Sequence, residues 1–231
     1  VNEALDACGY PLCKGNVMAS NPECCLTQGE WLARFASWID HGAPEDLLNA
    51  SIYFDFRPLA GAAGLTQPMR DLVGAQAGRN ARFMKQMADN ALRNGPALTW
   101  TGAIDTHAQG DQQVIDLKLH GTAVYVDAAR LLALAHGIAA TGTRARFEAV
   151  ARVMRVPAHE AEAWTVGFEV MQMLRLRVQQ GSGSRETVDA SDGNMNLLDV
   201  AALNDIDRRV LKESLRVARR LQQRIEMDYT R

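Results

Sequence analysis

The sequence lacks a long hydrophobic run, an excess of either charge and widely spread cysteines. Its most apolar stretch, 123–138, is interrupted by charged residues and is shorter than the roughly 20 residues of a membrane-spanning helix, so no membrane segment is expected. The formal net charge of the 231 residues is −2, which argues against a nucleic-acid partner. All four cysteines precede residue 26; this excludes a disulfide framework and favours the cytoplasm.

The residues that are present predict a mainly α fold. Apolar residues make up 47% and charged residues 23% of the chain, the balance of a globular protein. Residues 1–62 predict a partial α/β piece, with a capping box of Thr27 and Glu30 that opens a helix. Residues 63–231 predict a helical bundle in which a polar loop at 181–196 precedes the last helix. The helices of this bundle are predicted at 68–78, 80–93, 121–136, 143–156, 157–180 and 204–228.

A run of aromatic and β-branched residues predicts a strand at 51–57. Side chains alternate along a strand, so Asp55 and Arg57 would share one face. A carboxylate on a sheet can help to hold Mg²⁺ for phosphoryl chemistry, and an arginine can hold phosphate oxygens. The alternative is an ion pair on an exposed sheet edge.

A second candidate site lies just before the most apolar helix. If this stretch is extended, Asp116, Lys118 and His120 alternate and face the same way. The lysine and histidine could then hold a nucleotide phosphate, with His120 acting as an acid or base near neutral pH. The alternative is a polar entry into the helix that follows.

Other patterns favour structural roles. The cysteine spacing matches no zinc motif, which favours buried apolar thiols. Asp205 and Asp207 fit the first turn of the last helix. Seven apolar residues of that helix are predicted to face inward: Ile206, Val210, Leu211, Leu215, Ala218, Leu221 and Ile225. The width of this apolar face also leaves a homodimer as an alternative.

Three strings together, at 9–22, 48–58 and 115–121, resemble the bacterial signal-transduction nucleotidyltransferases. That family resembles the N-terminal domain of the PII-protein uridylyltransferase, and its members are often fused to CBS or cyclic-nucleotide-binding domains. The resemblance implies that 1–62 is the C-terminal part of a polymerase-β-like transferase domain. It implies that 63–231 is a helical substrate-binding domain.

The resemblance also implies a chemistry: Mg²⁺-dependent transfer of a nucleoside monophosphate from an NTP to a hydroxyl, including one on a regulatory protein. By this analogy Asp55 is a catalytic, metal-binding carboxylate. Arg57, Asp116, Lys118 and His120 are substrate-binding residues. The Gly-Ser turn and paired carboxylates of the family do not occur in these residues, so we expect a trimmed chain that is inactive alone. The alternative is a non-catalytic nucleotide- or protein-binding module.

Overall fold

The computed structural model describes residues 1–182 and 195–230. The chain divides into two compact units, Val1–Gln76 and Ala77–Arg231, and each is treated by itself. Most of the loop predicted at 181–196 lies outside the described residues. The mainly α fold class is confirmed. Among the described residues, no helix combines the length and apolar character needed to cross a bilayer.

The first unit is built around four helices. These are α1 (Asn2–Ala7), α2 (Gln28–His41), α3 (Pro44–Tyr53) and α4 (Gln67–Gln76), with single 3₁₀ turns at Pro22–Cys24 and Ala63–Thr66. The predicted capping box is confirmed at α2: the Thr27 hydroxyl accepts from the Glu30 N–H, and the Glu30 carboxylate accepts from the Thr27 N–H. The Thr27 hydroxyl also donates to the Glu30 carboxylate at 2.7 Å, and this bond, followed by the one from the Thr27 N–H, lowers the pKa of Glu30.

The strand predicted at 51–57 is wrong. All 76 residues of the first unit are described, and none of them forms a strand. Residues 51–53 instead complete α3, which begins at Pro44. The physical reason is an aromatic cluster: Tyr53 and Phe54 pack on α2, with ring centroids 4.9 Å apart between Phe35 and Phe54. The helix delivers both rings to the same neighbour, and burying them outweighs local strand preference.

The second unit is a helical bundle with one small sheet. Its helices are α5 (Ala81–Ala91), α6 (Ala123–Ala135), α7 (Thr143–Val153), α8 (Ala158–Ser182) and α9 (Asp205–Tyr229). Its antiparallel strands β1 (His107–Gln109), β2 (Gln112–Asp116) and β3 (Leu197–Asp199) lie in the order β1-β2-β3. In register, His107 pairs with Val114, and Ile115 pairs with Leu198. Five of the six predicted helices lie in this unit, with ends shifted by a few residues, and the sixth, predicted at 68–78, is α4 of the first unit.

Helix α6 forms the centre of this core. Eight of its residues are buried, and it contacts α5, α7 and α9. Gly137 ends it at a φ of 63°, as the sequence predicts, since glycine adopts this conformation without steric cost. The backbone at Gly78 lies against its C-terminal end: a Cβ there would lie 2.7 Å from the Ala135 carbonyl oxygen.

Helices α8 and α9 run antiparallel, and two ion pairs mark their ends. Arg177 pairs with Asp207 at 3.1 Å, and Arg224 pairs with Glu160 at 3.3 Å. Five of the seven residues predicted to face inward on α9 are buried: Leu211, Leu215, Ala218, Leu221 and Ile225. The prediction is wrong for Ile206 and Val210, which are 74% and 39% exposed.

Candidate functional site

The predicted alternation of Asp116, Lys118 and His120 is not formed. Strand β2 ends at Asp116, and the chain turns at once into a π-helix, Lys118–Thr122. The buried Asp116 carboxylate accepts from the backbone N–H groups of Lys118 and Leu119, at 2.8 and 2.9 Å. Its role is therefore that of a cap, because these are the N–H groups that the first turn leaves without helical partners.

His120 lies in a cleft and has a fixed ring orientation. Its Nδ1 is 2.8 Å from the carbonyl oxygen of Gly95. A carbonyl can only accept, so Nδ1 carries the proton of the neutral ring and Nε2 keeps its lone pair. The cleft has a volume of about 340 Å³, and Asp105, Thr106 and His107 also line it. An imidazole held in this way can accept a proton at Nε2 from a bound group.

The loop that carries Gly95 is held by the last helix. The Gln222 amide donates to the carbonyls of Ala91 and Asn94, at 3.1 and 2.8 Å. Arg219 donates to the carbonyl of Leu98 at 2.6 Å. These bonds hold the backbone on both sides of Gly95. The Gly95 carbonyl in turn fixes the tautomer and the ring orientation of His120.

A second cleft, of about 440 Å³, lies beside the first and shares Thr106 with it. Arg208 and Lys212 line it, one helical turn apart on α9. Arg208 is oriented by bonds to two carbonyls, those of Val200 and Leu203. Among the described residues that line this cleft none carries a carboxylate. Outside the cleft wall, Asp205 lies 3.9 Å from Arg208 and offsets part of its charge. The remaining positive charge of Arg208 and Lys212 makes the cleft suited to an anionic group.

The walls of this second cleft combine apolar and hydrogen-bonding groups. Ile104 and Val200 supply apolar surface. The Thr106 hydroxyl donates to the Gln113 side-chain oxygen at 2.9 Å, which leaves the Gln113 NH₂ group as a donor. A ligand with a charged end and a flatter apolar body would match both kinds of wall.

The structure brings His120 together with residues that the sequence did not single out. Among the described residues of either cleft wall, neither Asp116 nor Lys118 appears; Lys118 is exposed on the π-helix. The residues missed were Asp105, Thr106, His107, Arg208 and Lys212. One signal was available: the segment 208–212 has three cations and no acid.

Asp55 and Arg57 belong to the first unit. Asp55 is half-buried in the turn after α3, and Arg57 is exposed in the irregular segment that follows. They do not share the face of a strand. Among the described residues no three His, Cys, Asp or Glu side chains come close enough to hold a metal ion. Mg²⁺ is usually held by one or two carboxylates together with substrate phosphates and water, and Asp55 would supply one such carboxylate.

The cysteines are free but not buried. Cys8, Cys13 and Cys25 are exposed and Cys24 is half-buried, so the prediction of buried thiols is wrong. Cys24 lies 3.2 Å from the Tyr53 hydroxyl. Burial, together with this contact, raises the pKa of Tyr53 to about 12. The segment that carries these cysteines has little regular structure, and this leaves the thiols at the surface.

Comparison with known protein families identifies the second unit. The family described as "Putative nucleotidyltransferase substrate binding domain" matches residues 81–229. The chain belongs to this family. Residues 1–45 match a second family, described as "Putative nucleotidyltransferase DUF294". The search of curated proteins and the search of solved structures gave no match. Both clefts thus lie within the substrate-binding domain, and the family resemblance of the sequence is confirmed.

Proposed function

We propose that the substrate-binding domain holds a nucleotide in the two clefts that Thr106 joins. The observation that supports this most directly is the pair of cations, Arg208 and Lys212, beside a histidine whose Nε2 is left free to accept a proton. The cations would bind phosphate oxygens. Ile104 and Val200 would contact the less polar part of the ligand.

The reaction that we propose is transfer of a nucleoside monophosphate from an NTP to a hydroxyl. The hydroxyl oxygen forms a bond to the α-phosphorus, the bond from that phosphorus to the β-phosphate oxygen breaks, and pyrophosphate leaves. The hydroxyl proton would pass to Nε2 of His120. Arg208 and Lys212 would balance the charge that develops on the phosphate oxygens.

The remaining parts of this proposal rest on the family resemblance. They are Mg²⁺ as the metal, a hydroxyl of a regulatory protein as the acceptor, and a role in bacterial cytoplasmic signalling. Asp55 is the carboxylate that we propose as a metal ligand. A single carboxylate does not hold Mg²⁺ by itself, so no chemical step is assigned to it. Arg57 and Lys118 are proposed as exposed phosphate contacts.

A non-catalytic binding module is the second candidate. It requires only the cationic surface that Arg208 and Lys212 supply, and no metal ligand. In that case the same clefts would bind a nucleotide without turnover.

Calorimetric titration of the chain with each of the four NTPs, with and without Mg²⁺, tests nucleotide binding. We expect one or more NTPs to bind, and Lys212→Ala to weaken binding about tenfold or more because it removes a phosphate contact. The matched control is Arg152→Ala, which removes an exposed cation of α7 outside both clefts. Failure of every NTP to bind, or equal effects of the two variants, would refute the proposal.

The same NTP, labelled at the α-phosphate, separates the two candidates. Label transferred to a protein acceptor, and reduced by His120→Gln, supports the transferase. Because we expect the chain to be inactive alone, the labelling assay is run on the full-length gene product. Tight binding without transferred label then supports the binding module.

A further inference from the structure

Helices α8 and α9 present an apolar face that the described residues of the second unit leave uncovered. On α8 the face consists of Val166, Val170 and Met173. On α9 it consists of Ile206 and Val210, while Val217, only 8% exposed, lines the buried floor of the groove. Val166, Met173 and Ile206 are 47%, 41% and 74% exposed. A groove of about 310 Å³ runs between the two helices within this face. We call it the α8–α9 face.

This face is distinct from the side of α9 that forms the core. The core side, which includes Leu211 and Leu215, is buried, and α9 contacts α5 and α6. The sequence predicts Ile206 and Val210 as part of that core side, but the structure leaves them outside. A helix that is apolar on two sides is typical of one covered on both, and contiguous exposed apolar surface is typical of an interaction site.

The floor of the groove consists of small residues, because the core beneath it limits their size. Ala163, Gly167 and Ser214 line the groove. A Cβ at Gly167 would lie 2.1 Å from the Tyr125 hydroxyl oxygen, so the core itself excludes a larger side chain at this position. The depression is therefore a fixed part of the fold, and side chains from outside can enter it.

The charges at the groove fit a second copy of the chain. Arg209 and Glu213 line it one helical turn apart and carry opposite charges, and Glu213 also pairs with Arg216 of its own helix. A two-fold axis that runs between the two copies, perpendicular to α9 and level with the midpoint of Arg209 and Glu213, sets α9 antiparallel to α9 of another copy. This arrangement places Arg209 beside Glu213 of the second copy, twice over. Such self-complementarity is the requirement of a two-fold interface.

We propose that the α8–α9 face binds a second copy of this chain, so that α8 and α9 of both copies form a four-helix bundle. The α8–α9 faces of the two copies pack against each other, and Val210 of each copy enters the groove of the other. This inference is independent of nucleotide binding, because no residue of the α8–α9 face lines either cleft.

Sedimentation velocity of the full chain without nucleotide, over a concentration series of roughly 1 to 100 µM, tests the dimer. We expect a species of twice 25.3 kDa. Val210→Asp should raise the dissociation constant about tenfold or more, because it places a charge in the apolar contact. The control is Val153→Asp, which puts the same charge at a 57% exposed position on α7. Circular dichroism checks that both variants fold.

A charge exchange tests the two-fold arrangement. Arg209→Glu alone and Glu213→Arg alone should each weaken the dimer, since each sets like charges together twice. The double variant should restore the dissociation constant to within about threefold of the original. A monomeric chain at the highest concentration, equal effects of Val210→Asp and Val153→Asp, or a double variant no better than the single ones would overturn the proposal.

Discussion

The Tyr125 hydroxyl donates a hydrogen bond of 2.6 Å to the backbone carbonyl of Ser214, which joins α6 to α9 across 89 residues of sequence. The phenol is fully buried and lies directly under Gly167 of α8. Three helices of the substrate-binding domain therefore meet at one side chain. Burial raises the pKa of Tyr125 above its ordinary value of 10.

Tyr125→Phe should lower the free energy of unfolding at pH 7 by about 1 kcal/mol, the typical net contribution of one buried hydrogen bond. The ring and its packing remain, so only the hydroxyl contact is lost. Urea denaturation measures the change. An unchanged stability would mean that this bond does not hold α6 to α9.

Tyr125→Phe should also make the free energy of unfolding fall less steeply as the pH rises above about 9. Because the folded chain has the raised pKa, the unfolded chain releases its Tyr125 proton first as the pH passes about 10. The wild-type chain should therefore lose stability more steeply than Tyr125→Phe between about pH 9 and 11. Tyr53 and Tyr229, whose pKa values are also raised by burial, titrate in both proteins and cancel in the comparison. Parallel stability curves would contradict this expectation.

Gly167→Ala should destabilise the domain by about 2 kcal/mol, because the added methyl overlaps the Tyr125 hydroxyl. Part of this loss should disappear in the Tyr125→Phe background, since the closest atom is then absent. The control is Gly181→Ala on the same helix, where a Cβ meets no atom within 4 Å; this change should be neutral or slightly stabilising. Thermal denaturation of the four variants measures the coupling, and strictly additive effects would refute it.

Gln222→Leu should loosen the loop at 91–98, because it removes the donors to the Ala91 and Asn94 carbonyls. We expect a stability loss of about 1–3 kcal/mol and faster amide hydrogen exchange in the loop. Gln223→Leu, at an exposed neighbouring position, is the matched control. If exchange in the loop is the same in both variants, α9 does not hold the loop.

Local signals predicted the ends of helices well. The capping box at α2 and the glycine after α6 each act within a few residues, so the sequence contains the whole cause. The segment 51–57 was mispredicted for the opposite reason. Its strand signal rested on aromatic residues with a single β-branched residue, Ile52, and the aromatic contacts with α2 decided its structure.

The candidate site was only partly predictable. His120 can be recognised in the sequence because an imidazole can act as an acid or base wherever it lies. The orientation of its ring depends on the carbonyl of Gly95, which lies 25 residues earlier in the chain. Arg208 and Lys212 reach the 103–106 segment only through the packing of α9, about 100 residues later in the chain. The helical spacing of apolar residues also assigned Ile206 and Val210 to the core. This spacing does not show which of two apolar sides of α9 the core covers.

The dependence of the Gly95 loop on Arg219 and Gln222 has a consequence for biosynthesis. These two residues lie near the C-terminal end of α9, the last helix of the domain. A nascent chain that ends before α9 already contains His120 but lacks both residues that hold the Gly95 loop. The cleft is therefore completed only after translation of the final helix, and ligand binding would report that the whole domain has been made and folded.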